Sequence, residues 1–124
     1  MESLSDFLTR IRNGYQARKD TVVASYSRQK ETIAKILVAE GFVEKSLKTD
    51  AGLTLTLKYF GKRPAVKGVK QISKPGLRIY EKSDKIPLVK VGKGITIIST
   101  NQGVMTNKDA HKKNLGGEVI CQIW

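Results

Sequence analysis

The sequence predicts an α+β protein of two small lobes. Apolar residues in the opening "SLSDFLTRIRNGY" recur at helical spacing, while "LTLTLK" further on alternates strictly, so both periods are present in the first half. Then comes "GKRPAVKG" (61–68), basic, closed by a glycine at each end and interrupted by a proline, the strongest boundary signal in the chain. The expected division is an amino-terminal helix–strand–helix–hairpin lobe at residues 1–62 and a carboxy-terminal, mostly β lobe with one short helix at residues 63–124.

In the first segment Leu4, Phe7, Leu8, Ile11 and Tyr15 share one helical stripe, and Ser3 with Asp6 forms a capping box. Gly14 is expected to weaken this helix near its end, and Arg10, Arg12 and Asn13 fall off the stripe and face outward. "TVVAS" is a short strand. "SRQKETIAKILVAEG" follows as a second helix, with Ser27 as N-cap, Ile33, Ile36 and Leu37 pointing inward, and Gly41 as the residue that ends it. "FVEKSLK" and "LTLTLKYF" are strands around the turn "TDAG", with Leu53, Leu55 and Leu57 on one face and Thr54, Thr56 and Lys58 on the other. The second lobe begins around "VKQIS", with strands expected at "LRIY" and on both sides of a Gly92-Lys93-Gly94 turn within "IPLVKVGKGITIIS". Thr106 reads as an N-cap with Asp109 in the first turn of a helix that runs from Asn107 to about Leu115 and is ended by Gly116 and Gly117. "EVICQIW" is the last strand.

A chain of 124 residues has the length of one ordinary domain and can bury roughly two-thirds of its unfolded surface. Only 6% of it is aromatic, so Ile, Leu and Val must build the core. No apolar run approaches the roughly eighteen residues that cross a membrane. The opening residues mix acids and arginines where a secretion signal needs a basic start and an apolar run, so a cytosolic or organelle-interior protein is expected. The single Cys121 excludes an internal disulfide and a cysteine-based zinc finger, and its strand-like context predicts a buried thiol.

Charge is the dominant signal. The net charge is +12, and it is uneven: residues 1–50 hold nine basic and seven acidic residues, whereas residues 51–108 hold twelve basic residues against only Glu81 and Asp84. No acid lies between Asp50 and Glu81. Such a field attracts polyanions, nucleic acid first and an anionic membrane surface second.

Catalysis is not expected. Cys121 and His111 are the only nucleophile–base pair of their kind, but the cysteine lies mid-strand and nothing orients the histidine. One histidine with scattered acids cannot assemble a metal site, and "GKGI" lacks the Ser or Thr and the helix that a phosphate-binding loop needs. Binding remains. "STNQGVMT" (99–106) is uncharged within the most basic half of the chain. Hydroxyls and amides both donate and accept, so such a loop suits ribose 2′-hydroxyls and base edges, which A-form RNA displays in a shallow minor groove. Gly103 permits a tight turn or close approach to a ligand. Eight aromatic residues, several in cores, argue for a folded RNA surface over an extended single strand.

"SKPGLRIY" (73–80), "STNQGVMT" (99–106) and "GGEVICQIW" (116–124), in this order and spacing, resemble the small-subunit ribosomal protein eight family of bacterial or organellar type. "FLTRIRNGY" resembles its first helix and "AEGFVE" (39–44) the end of its second, so the likeness spans the whole chain. The sequence departs from the family at Gln71, where an arginine is common, at Gly92-Lys93-Gly94, often Gly-Leu-Gly, and at Glu2-Ser3, usually Asp-Pro.

The resemblance implies a two-lobed α+β structural protein of the small ribosomal subunit, not an enzyme, that binds the central domain of small-subunit ribosomal RNA directly and early in assembly. It implies a cytoplasmic ribosome in a bacterium or an organelle ribosome, no cofactor, metal or membrane, neighbouring ribosomal proteins as partners, and a regulatory messenger RNA that mimics the ribosomal site as a further one. On matching positions it assigns RNA contact to Ser99, Thr100 and Asn101, with Gly103 shaping the turn, and to Gly116, Gly117 and Glu118. Tyr80 would pack on a base or sugar, Lys74 and Arg78 would hold phosphates, and Lys30 would supply a phosphate contact from the amino-terminal lobe. Glu118 either accepts from a base amino group or fixes a nearby Lys or Arg and the loop. The rival class is a generic basic RNA chaperone, which would bind many duplexes alike.

Overall fold

A computed structural model describes residues 3–89 and 93–124. The architecture is α+β, with contacts concentrated in two units, Met1–Lys67 and Gly68–Trp124.

In the first unit, helix α1 (Leu4–Gln16) begins at a complete capping box: the Asp6 N–H donates to Ser3 Oγ at 3.1 Å and the Ser3 N–H to Asp6 Oδ2 at 3.3 Å. Phe7, Leu8, Ile11 and Tyr15 are buried, whereas Leu4 is only half-buried. Gly14 does not end the helix. It is buried, and a Cβ there would stand 2.5 Å from Val22 Cγ1, so the glycine lets α1 close on strand β1 (Thr21–Ala24). Helix α2 (Arg28–Ala39) is capped by Ser27, whose Oγ accepts the Lys30 N–H at 3.1 Å, and it buries Ile33, Ala34 and Leu37. Strands β2 (Val43–Thr49) and β3 (Gly52–Leu57) form the expected hairpin in an antiparallel sheet of order β1-β3-β2, with Leu53, Leu55 and Leu57 inward. A two-rung ladder, β4 (Tyr59–Phe60) with β5 (Arg63–Pro64), follows.

In the second unit the central strand is β10 (Gly117–Ile123). One side of it pairs with β6 (Val69–Gln71) and β7 (Tyr80–Glu81), the other with β8 (Ile95–Thr100), and β8 in turn pairs with β9 (Gly103–Thr106), all antiparallel. Of "LRIY" only Tyr80 is in a strand, because Leu77 belongs to a turn. The strand expected before the Gly-Lys-Gly turn is absent at residues 86–89. Pro87 has no N–H to donate, and its carbonyl accepts from Thr96 Oγ1 at 2.6 Å. Lys90, Val91 and Gly92, and with them the start of that turn, lie outside the described residues.

Residues 99–106 are not a loop but the end of β8, a two-residue turn and β9, a strand the sequence reading did not foresee. Helix α3 (Asn107–Lys112) starts at Thr106, whose Oγ1 accepts the Asp109 N–H at 3.2 Å, and it is shorter than expected. Asn114, at φ +54, ends it rather than the glycine pair: its N–H donates to the His111 carbonyl and that of Leu115 to the Ala110 carbonyl. Asn tolerates this left-handed geometry, so no glycine is needed there. Ala110 packs with Ile86, Ile98, Met105 and Val119 in a core under α3.

Candidate nucleic-acid interface

Strand alternation decides which face carries the site. Ile98 is opposite Val119 on β10 and Met105 on β9, and all three are buried. The next rung therefore faces the other way. It aligns Tyr80 of β7, Glu118 of β10, Ser99 of β8 and Val104 of β9 in one row across four strands. Tyr80, Glu118 and Ser99, singled out separately in the sequence, are cross-strand neighbours.

Glu118 is the charged member of the row. Its Oε2 accepts from Arg78 Nη1 at 3.0 Å, with 20% of the glutamate side chain and 57% of the arginine's exposed. Arg78 is aimed by the loop before β7. Pro75 and Gly76 (φ +85) occupy the central positions of a turn in which Lys74 and Leu77 exchange both backbone hydrogen bonds, the pattern of a type II turn. Ser73 Oγ accepts the Ile79 N–H at 2.9 Å and closes the loop's base. Lys74 projects from it into solvent. Ser73, Pro75 and Gly76 thus position the site without having been foreseen as part of it; the Pro-Gly pair is the signal that marks them.

The hairpin divides its own polar groups. Thr100 Oγ1 donates to the Gly103 carbonyl at 2.8 Å and accepts the Gln102 N–H at 3.1 Å, so the hydroxyl proton is used within the turn. Gly103, at φ +113, takes a conformation that side-chain-bearing residues avoid. Among the described residues, the side chains of Ser99 and Asn101 have no hydrogen-bond partner, and Asn101 is exposed while Ser99 is half-buried.

The glycine pair has a packing role of its own. A Cβ at Gly117 would stand 2.0 Å from the Ser99 carbonyl oxygen, and one at Gly116 would stand 2.5 Å from that of Glu81. Only bare backbone can pass between β7 and the end of β8 here. Lys30 belongs to the first unit and is buried, 3% exposed; its Nζ donates to Ser25 Oγ at 2.8 Å and to the Ser25 carbonyl at 3.3 Å.

Other chemistry is sparse. Burial pushes the Cys121 thiol up to about 12, so it is held protonated. Among the described residues, no three His, Cys, Asp or Glu side chains gather as a metal site, and no helix is long and apolar enough to cross a membrane.

Comparison with known proteins points one way. The protein-family model Ribosomal protein S8 matches residues 2–124. Small ribosomal subunit protein uS8 of Mycoplasmopsis synoviae (strain 53) is 48% identical, covering 99% of this chain and 97% of that protein. Its counterpart from Caldanaerobacter subterraneus subsp. tengcongensis is 50% identical over the same shares. That of Desulfovibrio desulfuricans is 46% identical over 99% of this chain and 98% of its own.

Proposed function

This chain belongs to the ribosomal protein S8 family, and from that premise we propose that its carboxy-terminal unit is the primary contact with the central domain of small-subunit ribosomal RNA. The chain is a structural component of the small ribosomal subunit, not an enzyme, and works within the ribosome among neighbouring ribosomal proteins.

The observation that carries the RNA reading is the row Tyr80–Glu118–Ser99. It offers a hydroxyl with no hydrogen-bond partner among the described residues, an exposed aromatic ring and a carboxylate already neutralised by Arg78. Neutralising Glu118 removes its repulsion of phosphate, which favours the fixing role for this residue over direct base contact. Ser99 and Asn101 make the directional contacts, to 2′-hydroxyls or base edges. Thr100 and Gly103 hold the turn that presents them. Lys74, Lys82 and Lys85, exposed in the same unit, supply the phosphate attraction that any RNA shares. A messenger RNA folded like the ribosomal element would take the same row.

The test compares binding of a central-domain RNA fragment with that of a scrambled duplex of equal length, at low and moderate salt. A preference that persists as salt rises supports the reading. Equal binding that fades in parallel overturns it and leaves a generic basic RNA binder.

A further inference from the structure

The first unit ends in a hairpin of different character. β4 and β5 are joined by Gly61 and Lys62, with Gly61 at φ +64 in the first turn position, where a Gly-first two-residue hairpin requires a positive φ. Phe60 sits at this tip and is 57% exposed. Its register partner is Arg63, so the two share a face of the ladder, and Lys58, two residues earlier, places its Nζ 5.4 Å from the ring centroid.

A floppy tip would explain an exposed ring cheaply, but this one is braced. Tyr59 Oη donates to the Lys19 carbonyl at 2.6 Å, Arg18 Nη1 donates to the Lys62 carbonyl, and the Ala65 N–H donates to the Lys58 carbonyl at 2.9 Å. Beneath it, the Lys58 N–H donates to the buried Tyr15 Oη at 3.1 Å. Lys62 and Arg63 themselves are exposed, and their side chains have no ion-pair or hydrogen-bond partner among the described residues. One acid, Asp20, lines the same surface pocket as Arg18, Tyr59, Gly61 and Lys62, and the next acids along the chain on either side of the tip are Asp50 and Glu81.

We propose that this tip is a second RNA contact, which stacks one unpaired nucleobase on Phe60 while Lys62 and Arg63 take the flanking phosphates. It goes beyond the function above: it lies in the other unit, shares no residue with the Ser99 row and recognises single-stranded rather than helical RNA. The charges select the occupant. An apolar protein groove would accept Phe60 but would have to desolvate three cations beside it, whereas a nucleotide satisfies ring and cations together. A braced backbone also loses little freedom when the ring stacks, which favours a built platform.

The experiment uses the full chain and two labelled RNAs, a plain duplex and the same duplex with a single-stranded oligouridine tail of about five nucleotides. The tail should tighten wild-type binding by about five- to a hundredfold. Phe60→Ala should abolish that gain while leaving duplex affinity and thermal stability unchanged, and Phe60→Trp should keep it. Ser99→Ala should keep the gain while losing preference for the central-domain fragment, so the two sites fail separately. The proposal is overturned if the wild type shows no gain, if the gain survives in Phe60→Ala, or if Phe60→Leu retains it, since a merely apolar contact would accept leucine.

Discussion

Two hairpins of this chain each turn on two residues and present opposite chemistry. The β8–β9 turn, Asn101-Gln102, is uncharged and shaped by Thr100 and Gly103. The β4–β5 turn, Gly61-Lys62, carries an exposed phenylalanine among cations and is braced by bonds to Arg18 and Lys19. On the readings proposed above, the first holds directional donors and acceptors suited to discrimination and the second a ring and positive charge suited to gripping any base and phosphate. One chain can therefore separate selectivity from adhesion by placing each on its own turn.

The comparison is sharpest at the supporting glycines. Gly117→Ala pushes a methyl to 2.0 Å from the Ser99 carbonyl oxygen, beneath the neutral hairpin, and should destabilise the fold by at least about 3 kcal/mol in denaturant titration. Gly61→Ala meets no atom within 4 Å and should cost only the left-handed backbone penalty, about 1 kcal/mol. Equal costs would show that the two turns are supported alike.

Binding separates the hairpins next. Ser99→Ala should lose about 1–2 kcal/mol on the central-domain fragment and little on a scrambled duplex. Lys62→Ala with Arg63→Ala should weaken tailed RNAs of any sequence and lower the slope of log K against log salt by up to about two. A sequence-selective loss from the double variant would erase the distinction.

Alkaline titration reads the two units by their buried acids. Burial raises Tyr15 from 10.0 to about 12 in the first and Cys121 from 9.0 to about 12 in the second. Each neutral form stabilises the fold fully below its unfolded-state value, and that contribution is lost as pH climbs towards 12. Stability followed by circular dichroism should thus decline from about pH 9 upward, and Cys121→Ala should delay the onset to about pH 10, where a tyrosine ionises in the unfolded chain. The smallest effect is expected at Glu118→Gln. Its partner Arg78 is largely exposed, so the change should cost less than about 1 kcal/mol of stability. Its RNA preference should fall with Arg78 unfastened, and intact preference would remove the pair from the site.

Much of this was legible along the chain. The capping box at Ser3 and the N-caps at Ser27 and Thr106 are local hydrogen bonds between residues three apart, so sequence alone locates them. The alternation of Leu53, Leu55 and Leu57 announced a half-buried strand in the same way. Strand β9 was not legible, because "GVMT" is too short to show a period and becomes a strand only by pairing with β8. The exposure of the Phe60 ring was not legible either, because exposure is a property of neighbours, not of residue type. The burial of Lys30 against Ser25 was equally invisible, since its spacing is that of any helix surface lysine.

By itself, the sequence determined the fold class, the helix starts, the polyanion-attracting charge and, through its motifs, the family. These depend on period, composition and contacts a few residues long. Only the tertiary structure decided that Tyr80, Glu118 and Ser99 form one row, that Arg78 neutralises Glu118, and that Gly117 is bare because a carbonyl passes 2.0 Å from where its Cβ would be. Those facts arise from the register of strands brought together from residues 80, 99 and 118, and register is set by packing of the whole sheet on its core rather than by any one strand.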